Sequence, residues 1–246
     1  MRTAATNLPQ VDYHVHLEGD ITLDRALELS AERGVAFGLV EHGGKGQALS
    51  DDASLGAYVE RLTGRAEHIG MQAEGLDWME CFSTAAVARL DYVLTDALTF
   101  PGPDGELIQL WRPEAQVGEA EAFMDRYVDF HLQILATEPI DILANPTFLP
   151  RCLTGRYGEL WTVERMEGLI EAAVGAGVAL EINSRYCVPR APFIARSKAA
   201  GATFAFGSNY HSDEVGKLDY CLRMAREHDL QPVDLFAPRP PGQKPR

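Results

Sequence analysis

The chain has 246 residues, of which 46% are hydrophobic and 24% are charged, with a formal net charge of -14 at pH 7. This length and apolar content suffice for one sizeable core, and no linker or composition shift divides the chain. The acidic balance argues against a nucleic-acid binder and against a polybasic membrane surface, because both need clustered Lys and Arg.

Other features of the composition favour an intracellular protein that binds a small molecule. No segment reaches the roughly 18 apolar residues that a membrane span needs, and the first ten residues lack a signal-peptide core. The four cysteines form no CxxC pair, which is typical of reduced thiols in the cytoplasm. We expect one domain over residues 1–236 and a loose Pro-rich tail over residues 237–246. The oligomeric state stays open.

The first predicted strand, residues 11–17, carries two histidines on one face. Because side chains alternate along a strand, Asp12, His14 and His16 point the same way. Histidine is the commonest metal ligand, and two imidazoles beside carboxylates can share an ion. A half-buried strand whose polar face happens to carry histidine is the alternative, and the HxH pattern alone does not decide between them.

Strand and helix patterns then alternate along the chain, which is typical of βα units and a parallel sheet. Thr22 is expected to cap the first helix, Gly34 to end it, and Ser54 to cap the second helix. About seven units follow from this pattern. Further strands are predicted at residues 35–40, 68–74, 91–98, 140–145, 178–183 and 203–209, and further helices at 54–68, 84–90, 119–136 and about 162–177.

A long insert, residues 99–118, interrupts the fifth unit and is predicted to be irregular. Connections of this length in a compact domain are usually functional. We therefore expect the insert to cover an active site.

Nearly every predicted strand is apolar until its C-terminal end, where a polar residue of a ligand type appears. In a closed parallel barrel these ends converge on one face, where barrel enzymes build their sites. Strands also end in Asp or Asn simply because loops follow, but that reading explains the histidines poorly. The residues concerned are His14, His16, His42, Glu74, Asp96, Asn145, Glu181, Asn209 and His211.

Five motifs carry a resemblance to a known family: HVHLEG, GLVEHGG, QAEG, LEINSR and FGSNYHS. In order and spacing they resemble the PHP family, the polymerase and histidinol phosphatase superfamily, over residues 11 to 225. The resemblance implies a distorted (β/α)7 TIM-like barrel of the PHP type. It also implies a phosphoesterase that carries up to three divalent ions.

The resemblance also implies a metal-ligand set. His14 and His16 would hold the first ion, Glu74 would bridge towards a second, and Asn209 occupies the position of the usual Asp. The third ion would take His42 and His211 together with Glu18 or Asp20. The second site lacks its histidines, since Ala97, Leu98 and Asn145 stand in their places. His131 or Asp96 would have to compensate there, so one or two ions of Zn²⁺, Mn²⁺ or Fe²⁺ are expected rather than three.

Under this hypothesis a metal-bound hydroxide hydrolyses the phosphomonoester of a small phosphorylated metabolite. Arg185 or Lys217 would bind the phosphoryl oxygens. Asp12 and Glu181 would orient ligating histidines, although Glu181 could instead satisfy backbone groups at the barrel mouth.

Two alternatives belong to other classes. HVHLEG also resembles the first-strand motif of amidohydrolase-type deaminases, which act on C–N bonds. The second alternative is a non-catalytic descendant that binds one weak metal or an organic ligand. Metal content would discriminate between an enzyme and such a descendant.

Overall fold

The computed structural model describes residues 8–238 and shows a mixed α/β fold. The ten strands in this range are β1 (Val11–His16), β2 (Ala36–Val40), β3 (His42–Gly43), β4 (His68–Ala73), β5 (Tyr92–Thr95), β6 (Thr99–Pro101), β7 (Leu107–Gln109), β8 (Ile142–Leu143), β9 (Ala179–Asn183) and β10 (Phe204–Gly207). The eight α-helices in this range are α1 (Leu23–Arg33), α2 (Asp52–Leu62), α3 (Thr84–Val87), α4 (Ala120–Thr137), α5 (Tyr157–Leu160), α6 (Val163–Ala176), α7 (Ala191–Ala199) and α8 (Asp219–Glu227).

Seven parallel strands form a nearly closed barrel, as the alternating pattern predicts. Their order is β1-β2-β4-β5-β8-β9-β10, and the short β3 extends the pairing along β4. The two ends of this sheet meet where the Asn209 amide donates to the His14 carbonyl at 3.1 Å. The C-terminal ends of the strands therefore surround one mouth.

Tyr92 fills the inside of the barrel and explains two glycines on neighbouring strands. Its ring is fully buried, and its hydroxyl donates to the Tyr13 carbonyl at 2.8 Å. A Cβ atom at Gly38 or Gly70 would collide with this ring. The missing side chains let a large aromatic residue plug the barrel, which packs the interior without a void.

The predicted ends of α1 are confirmed, whereas the predicted start of α2 is not. Thr22 caps α1, and Gly34 ends the helix with a φ of 65°, as predicted. The predicted cap of α2 is wrong by three residues, because Asp51 is the N-cap and accepts the Ser54 amide. Ser54 instead completes a capping box, bonding back to the Asp51 amide.

The long insert is partly regular, which corrects the prediction that it is irregular. Strands β6 and β7 form an antiparallel hairpin in which Thr99 pairs with Gln109. Gly105, with a φ of 85°, lies in the turn of this hairpin.

The helices α5, α7 and α8 were also not predicted from the sequence.

The predicted tail, residues 237–246, lies outside the described residues except for its first two positions. The expectation of one domain over residues 1–236 stays a prediction. None of the helices within residues 8–238 combines the length and apolarity that crossing a bilayer requires.

Candidate functional site

A cavity of about 360 Å³ opens at the mouth of the barrel, where the strands end. Among the described residues, the predicted site residues that line it are His16, His42, Glu74, Asp96, Arg185, Asn209 and His211, and Glu18 joins them. The expected convergence of strand ends is therefore present. The chemical roles assigned to these residues remain predictions.

Three histidine rings are stacked along one wall of the cavity. His16 lies in the middle, with its ring centroid 4.6 Å from that of His42 and 5.3 Å from that of His211. The planes are inclined by only 18° and 19°. Each outer ring contacts a carboxylate through its Nδ1 atom. His42 Nδ1 is 2.8 Å from Glu74 Oε1, and His211 Nδ1 contacts Glu18 Oε1.

Burial and neighbouring imidazoles keep the central ring uncharged. His16 is only 3% exposed, and its burial lowers the pKa well below the ordinary value for histidine. The nearby rings of His14, His42 and His211 lower that pKa further. At neutral pH the His16 imidazole is therefore free to accept a proton.

His14 lies beneath this wall in the opposite protonation state. Its Nδ1 is 2.7 Å from Glu181 Oε1, and its Nε2 is 3.0 Å from Gln72 Oε1. The Gln72 amide nitrogen donates to Glu74 at 2.9 Å, which directs the amide oxygen towards His14. Because both ring nitrogens face acceptors, the contacts favour a ring that carries a proton on each nitrogen. Burial opposes the charge, but the Glu181 carboxylate raises the pKa of His14 above its ordinary value.

Glu181 also satisfies backbone and amide groups, so both readings of this residue in the sequence describe its contacts. Its Oε2 accepts the Asn145 amide at 2.8 Å and the Asn183 side-chain amide at 3.1 Å. At 1% exposure it is not among the described residues that line the cavity. Its place in the structure is that of a positioning residue behind His14.

Asp12 lies equally deep and bonds to backbone rather than to a ring. Its carboxylate accepts the amides of His14 at 3.1 Å, Ser208 at 2.8 Å and Gly216 at 2.9 Å. Burial raises the pKa of Asp12, and these hydrogen bonds oppose that shift. Asp12 therefore ties the first half of β1 to the loop after β10.

Asp96 provides a carboxyl group that titrates near neutral pH at the cavity. Burial and the charge of Glu74 raise its pKa to about 6. Its oxygens accept the Leu98 amide at 2.9 Å and the Asn145 side-chain amide at 3.1 Å. Asn145 has a φ of 50°, an uncommon backbone conformation for a residue other than glycine.

Arg185 supplies a cation to the cavity. Its Nη1 donates to the Asn209 carbonyl at 2.9 Å, and its guanidinium lies 5.2 Å from the centre of the Tyr186 ring. Within residues 8–238 no carboxylate forms an ion pair with it. Its guanidinium is therefore available to an anion, in a cavity that the carboxyl groups of Glu18, Glu74 and Asp96 also line.

Three further candidates from the sequence do not reach this cavity in the part of the chain described. Asp20 is exposed in the turn after β1. Lys217 is exposed and pairs with Glu214 at 3.1 Å. His131 is fully buried on α4, where its Nδ1 bonds to the Tyr127 carbonyl at 2.7 Å and its ring lies beside Trp161. It is a core histidine, and its burial lowers the pKa to about 4.

Several lining residues were given no individual role in the sequence, although Leu98 was named at a position that lacks a metal ligand and Thr99 and Trp111 belong to the insert that was expected to cover the site. These are Gln72, Leu98, Thr99, Trp111 and Tyr186. Gln72 could have been found, because it precedes Glu74 by two positions and so shares its strand face. Trp111 belongs to the long insert, whose path no periodic pattern indicates.

The geometry described here does not fit a shared metal ion. Within residues 8–238, no three His, Cys, Asp or Glu side chains are placed so that they could hold one. A ligated ion lies near the plane of each imidazole, whereas the stacked rings of His16, His42 and His211 are nearly parallel. The rings would have to rotate before two of them could meet one ion. The metal-ligand roles therefore stay predictions.

Comparisons with known proteins do not support the PHP resemblance. No family model matches the chain, and no curated protein matches it. Similar solved structures include an HpcH/HpaI aldolase from Desulfitobacterium hafniense DCB-2, with 13% identity, a TM-score of 0.40, and coverage of 92% of this chain and 94% of that chain. They also include a citrate lyase from Burkholderia xenovorans LB400, with 11% identity, a TM-score of 0.43, and coverage of 90% and 83% respectively.

These findings correct the sequence analysis. With no matching family model and no three-ligand group in the described residues, the predicted PHP membership is wrong. The phosphomonoesterase function and the amidohydrolase alternative are wrong with it. At this level of similarity, the neighbours themselves give no activity to the chain.

Proposed function

We propose that the protein is an enzyme that transfers a proton to or from a carbon atom of a small carboxylate, by general acid–base catalysis. The observation that carries the proposal is that His16, Asp96 and Arg185 line one cavity. These residues supply a base, an acid and a binding site for an anion.

The base is His16. Its imidazole is unprotonated at neutral pH for the reasons given above, so a ring nitrogen is free to accept a proton, although the lowered pKa makes it a weaker base than an ordinary histidine. The outer rings and the buried His14 cation hold it in place and raise the cost of charging it. That cost makes the protonated ring a ready donor when the proton must be returned.

The acid is Asp96. A carboxyl group with a pKa of about 6 exchanges its proton near neutral pH, unlike an ordinary aspartic acid. Two titratable groups whose surroundings displace their pKa values from the ordinary ones are typical of an acid–base pair.

Arg185 binds the carboxylate of the substrate. Its side chain is held by Asn209 and Tyr186, and this leaves its remaining N–H groups for an anion. A guanidinium binds a carboxylate through two parallel hydrogen bonds, which would fix the carbon next to the carboxylate against the base.

Deuterium exchange tests the proposal without knowledge of the full reaction. The protein in D₂O is incubated with a panel of 2-oxo, 3-oxo and 3-hydroxy carboxylates, and mass spectrometry follows the gain of one deuterium. We expect exchange with at least one compound. His16→Gln and Asp96→Asn should slow it about 100-fold or more, and Arg185→Gln should raise KM.

A matched control is His68→Gln, which makes the same change of ring to amide at the start of β4, away from the mouth. Exchange in this variant should equal that of the wild type. The absence of exchange with every compound of the panel contradicts the proposal, and so does full exchange in His16→Gln.

The divalent ion expected from the sequence is a separate proposal, and no catalytic step here depends on it. Zn²⁺, Mn²⁺ or Fe²⁺ in one or two copies would require the rings of His42 or His211 to rotate towards His16. Elemental analysis of the purified protein tests this directly.

A further inference from the structure

A second cavity adjoins the first and differs from it in character. Its volume is about 770 Å³, against about 360 Å³ for the cavity at the histidines. Glu74 and Thr99 line both, so the two spaces adjoin at these side chains. The second cavity lies along the β6–β7 hairpin of the long insert.

The wall of the second cavity is largely apolar. Pro101, Leu107 and Ile108 come from the hairpin, and Leu76 and Phe130 lie among the other lining residues. Leu107 is 66% exposed, and Trp111 at the edge of the first cavity is 40% exposed. Exposed apolar side chains that surround a concave space are typical of a ligand site.

Most charged groups of this wall already have partners. Lys45 pairs with Asp77 at 2.6 Å and with Glu80 at 2.8 Å, and Glu74 pairs with His42. Arg112 and Glu114, neighbours in the insert, add one charge of each sign. The lining of the second cavity has two cations, Lys45 and Arg112, and one more carboxylate than cations, so it does not attract a second anionic group, whereas the first cavity offers Arg185.

We infer that the substrate is an amphipathic monocarboxylate whose acid group lies at Arg185 and whose aliphatic or aromatic body extends into the second cavity. The inference rests on the proposed function, because the carboxylate at Arg185 belongs to it. The apolar body covers Leu107 and Ile108, and the hairpin therefore sets specificity for chain length.

Binding of straight-chain carboxylates tests the inference. Isothermal titration calorimetry gives the Kd of acetate, butyrate, hexanoate and octanoate. Each methylene group that enters an apolar site strengthens binding by up to about fourfold. We expect Kd to fall at least twofold per methylene group from butyrate to octanoate.

Leu107→Glu places a carboxylate in the apolar wall at an exposed position, where it should not disturb folding. We expect this variant to lose the dependence on chain length while acetate binding stays unchanged. The matched control is Val233→Glu, which alters an apolar side chain that is 83% exposed and does not line the second cavity. It should bind all four acids like the wild type. Arg185→Gln should weaken all four alike.

Two outcomes overturn the inference. One is a Kd that does not fall with chain length, and the other is an equal loss in Leu107→Glu and Val233→Glu, which would mean non-specific adsorption. Because binding is measured without turnover, this test is separate from deuterium exchange. Chain-length dependence without exchange would refute proton transfer alone, and exchange without chain-length dependence would refute the extended substrate alone.

Discussion

Asp96→Asn is expected to make the protein more stable at alkaline pH while it removes activity. The carboxylate is partly buried, lies near Glu74 and has a pKa raised from 3.8 to about 6. A carboxyl group whose pKa is raised by folding holds its proton more tightly in the folded state. Its ionisation therefore weakens the fold progressively as the pH rises from below 4 through about 6. Asparagine resembles the protonated form and avoids this cost.

The size of the effect follows from the two pKa values. A difference of about two pKa units corresponds to about 3 kcal/mol once the group is fully ionised in both states. At pH 8 the variant should gain up to about 3 kcal/mol in the free energy of unfolding over the wild type, and at pH 4 only about 0.5 kcal/mol. Asparagine has one side-chain oxygen, so it can replace the acceptor of either the Leu98 amide or the Asn145 amide but not of both, which keeps the gain below this bound at every pH.

Urea unfolding of both proteins at pH 4, 6 and 8 measures the difference. Asp20→Asn is the matched control, because Asp20 is exposed and the same charge is removed. We expect its stability to differ from that of the wild type by less than about 0.5 kcal/mol at all three pH values. A variant Asp96→Asn that is no more stable than the wild type at pH 8, or a gain that does not depend on pH, would refute the reasoning.

Three further changes are expected to alter stability in urea unfolding. Gly207→Ala forces a methyl group against Glu181 and His14 and should cost about 1–3 kcal/mol, so unchanged stability would count against the packing described. Gly34→Ala should lower the free energy of unfolding by about 1 kcal/mol, because α1 ends at Gly34 in the left-handed region. Gly175→Ala should raise it by about 0.5–1 kcal/mol, because Gly175 lies inside α6 with open space around it. Glu181→Gln should lower the free energy of unfolding by about 3 kcal/mol at pH 6 and by less at pH 9. The stability that His14 gains from its raised pKa is present below pH 6.5 and is lost as the pH rises through the pKa of His14 in the folded protein. An equal cost at both pH values would contradict the charged pair.

The barrel was predictable because its signals are local and repeated. Apolar strands alternated with helical patterns, and caps such as Thr22 and Gly34 punctuated them. The hairpin at β6–β7 was not recognised, because its strands have three residues each and the pattern is too short to distinguish from a loop. The cap of α2 was misplaced because Asp51 and Ser54 both belong to one capping box, and either can be taken for its first residue.

The sequence predicted where the site lies, but it did not predict which side-chain atoms contact each other there. Strand-end histidines pointed to the correct mouth, since parallel strands bring their C-terminal ends together. Which atoms meet depends on ring orientation, and sequence spacing does not encode it. His16 is stacked between two rings rather than aimed with them at one point, and His14 faces Glu181 and Gln72. The family resemblance failed at this step, because motif spelling records residue types and not directions.

The central claim is that an uncharged imidazole at His16 faces the cavity while the buried imidazole of His14 is charged. Long-range proton–nitrogen NMR of the ¹⁵N-labelled protein measures this, with the His16→Gln variant used to assign the signals. At pH 6.5 we expect one unprotonated nitrogen in His16 and mostly two protonated nitrogens in His14. A His16 ring that carries two protons at pH 6.5, or a His14 ring that has lost one below pH 6.5, would contradict the account.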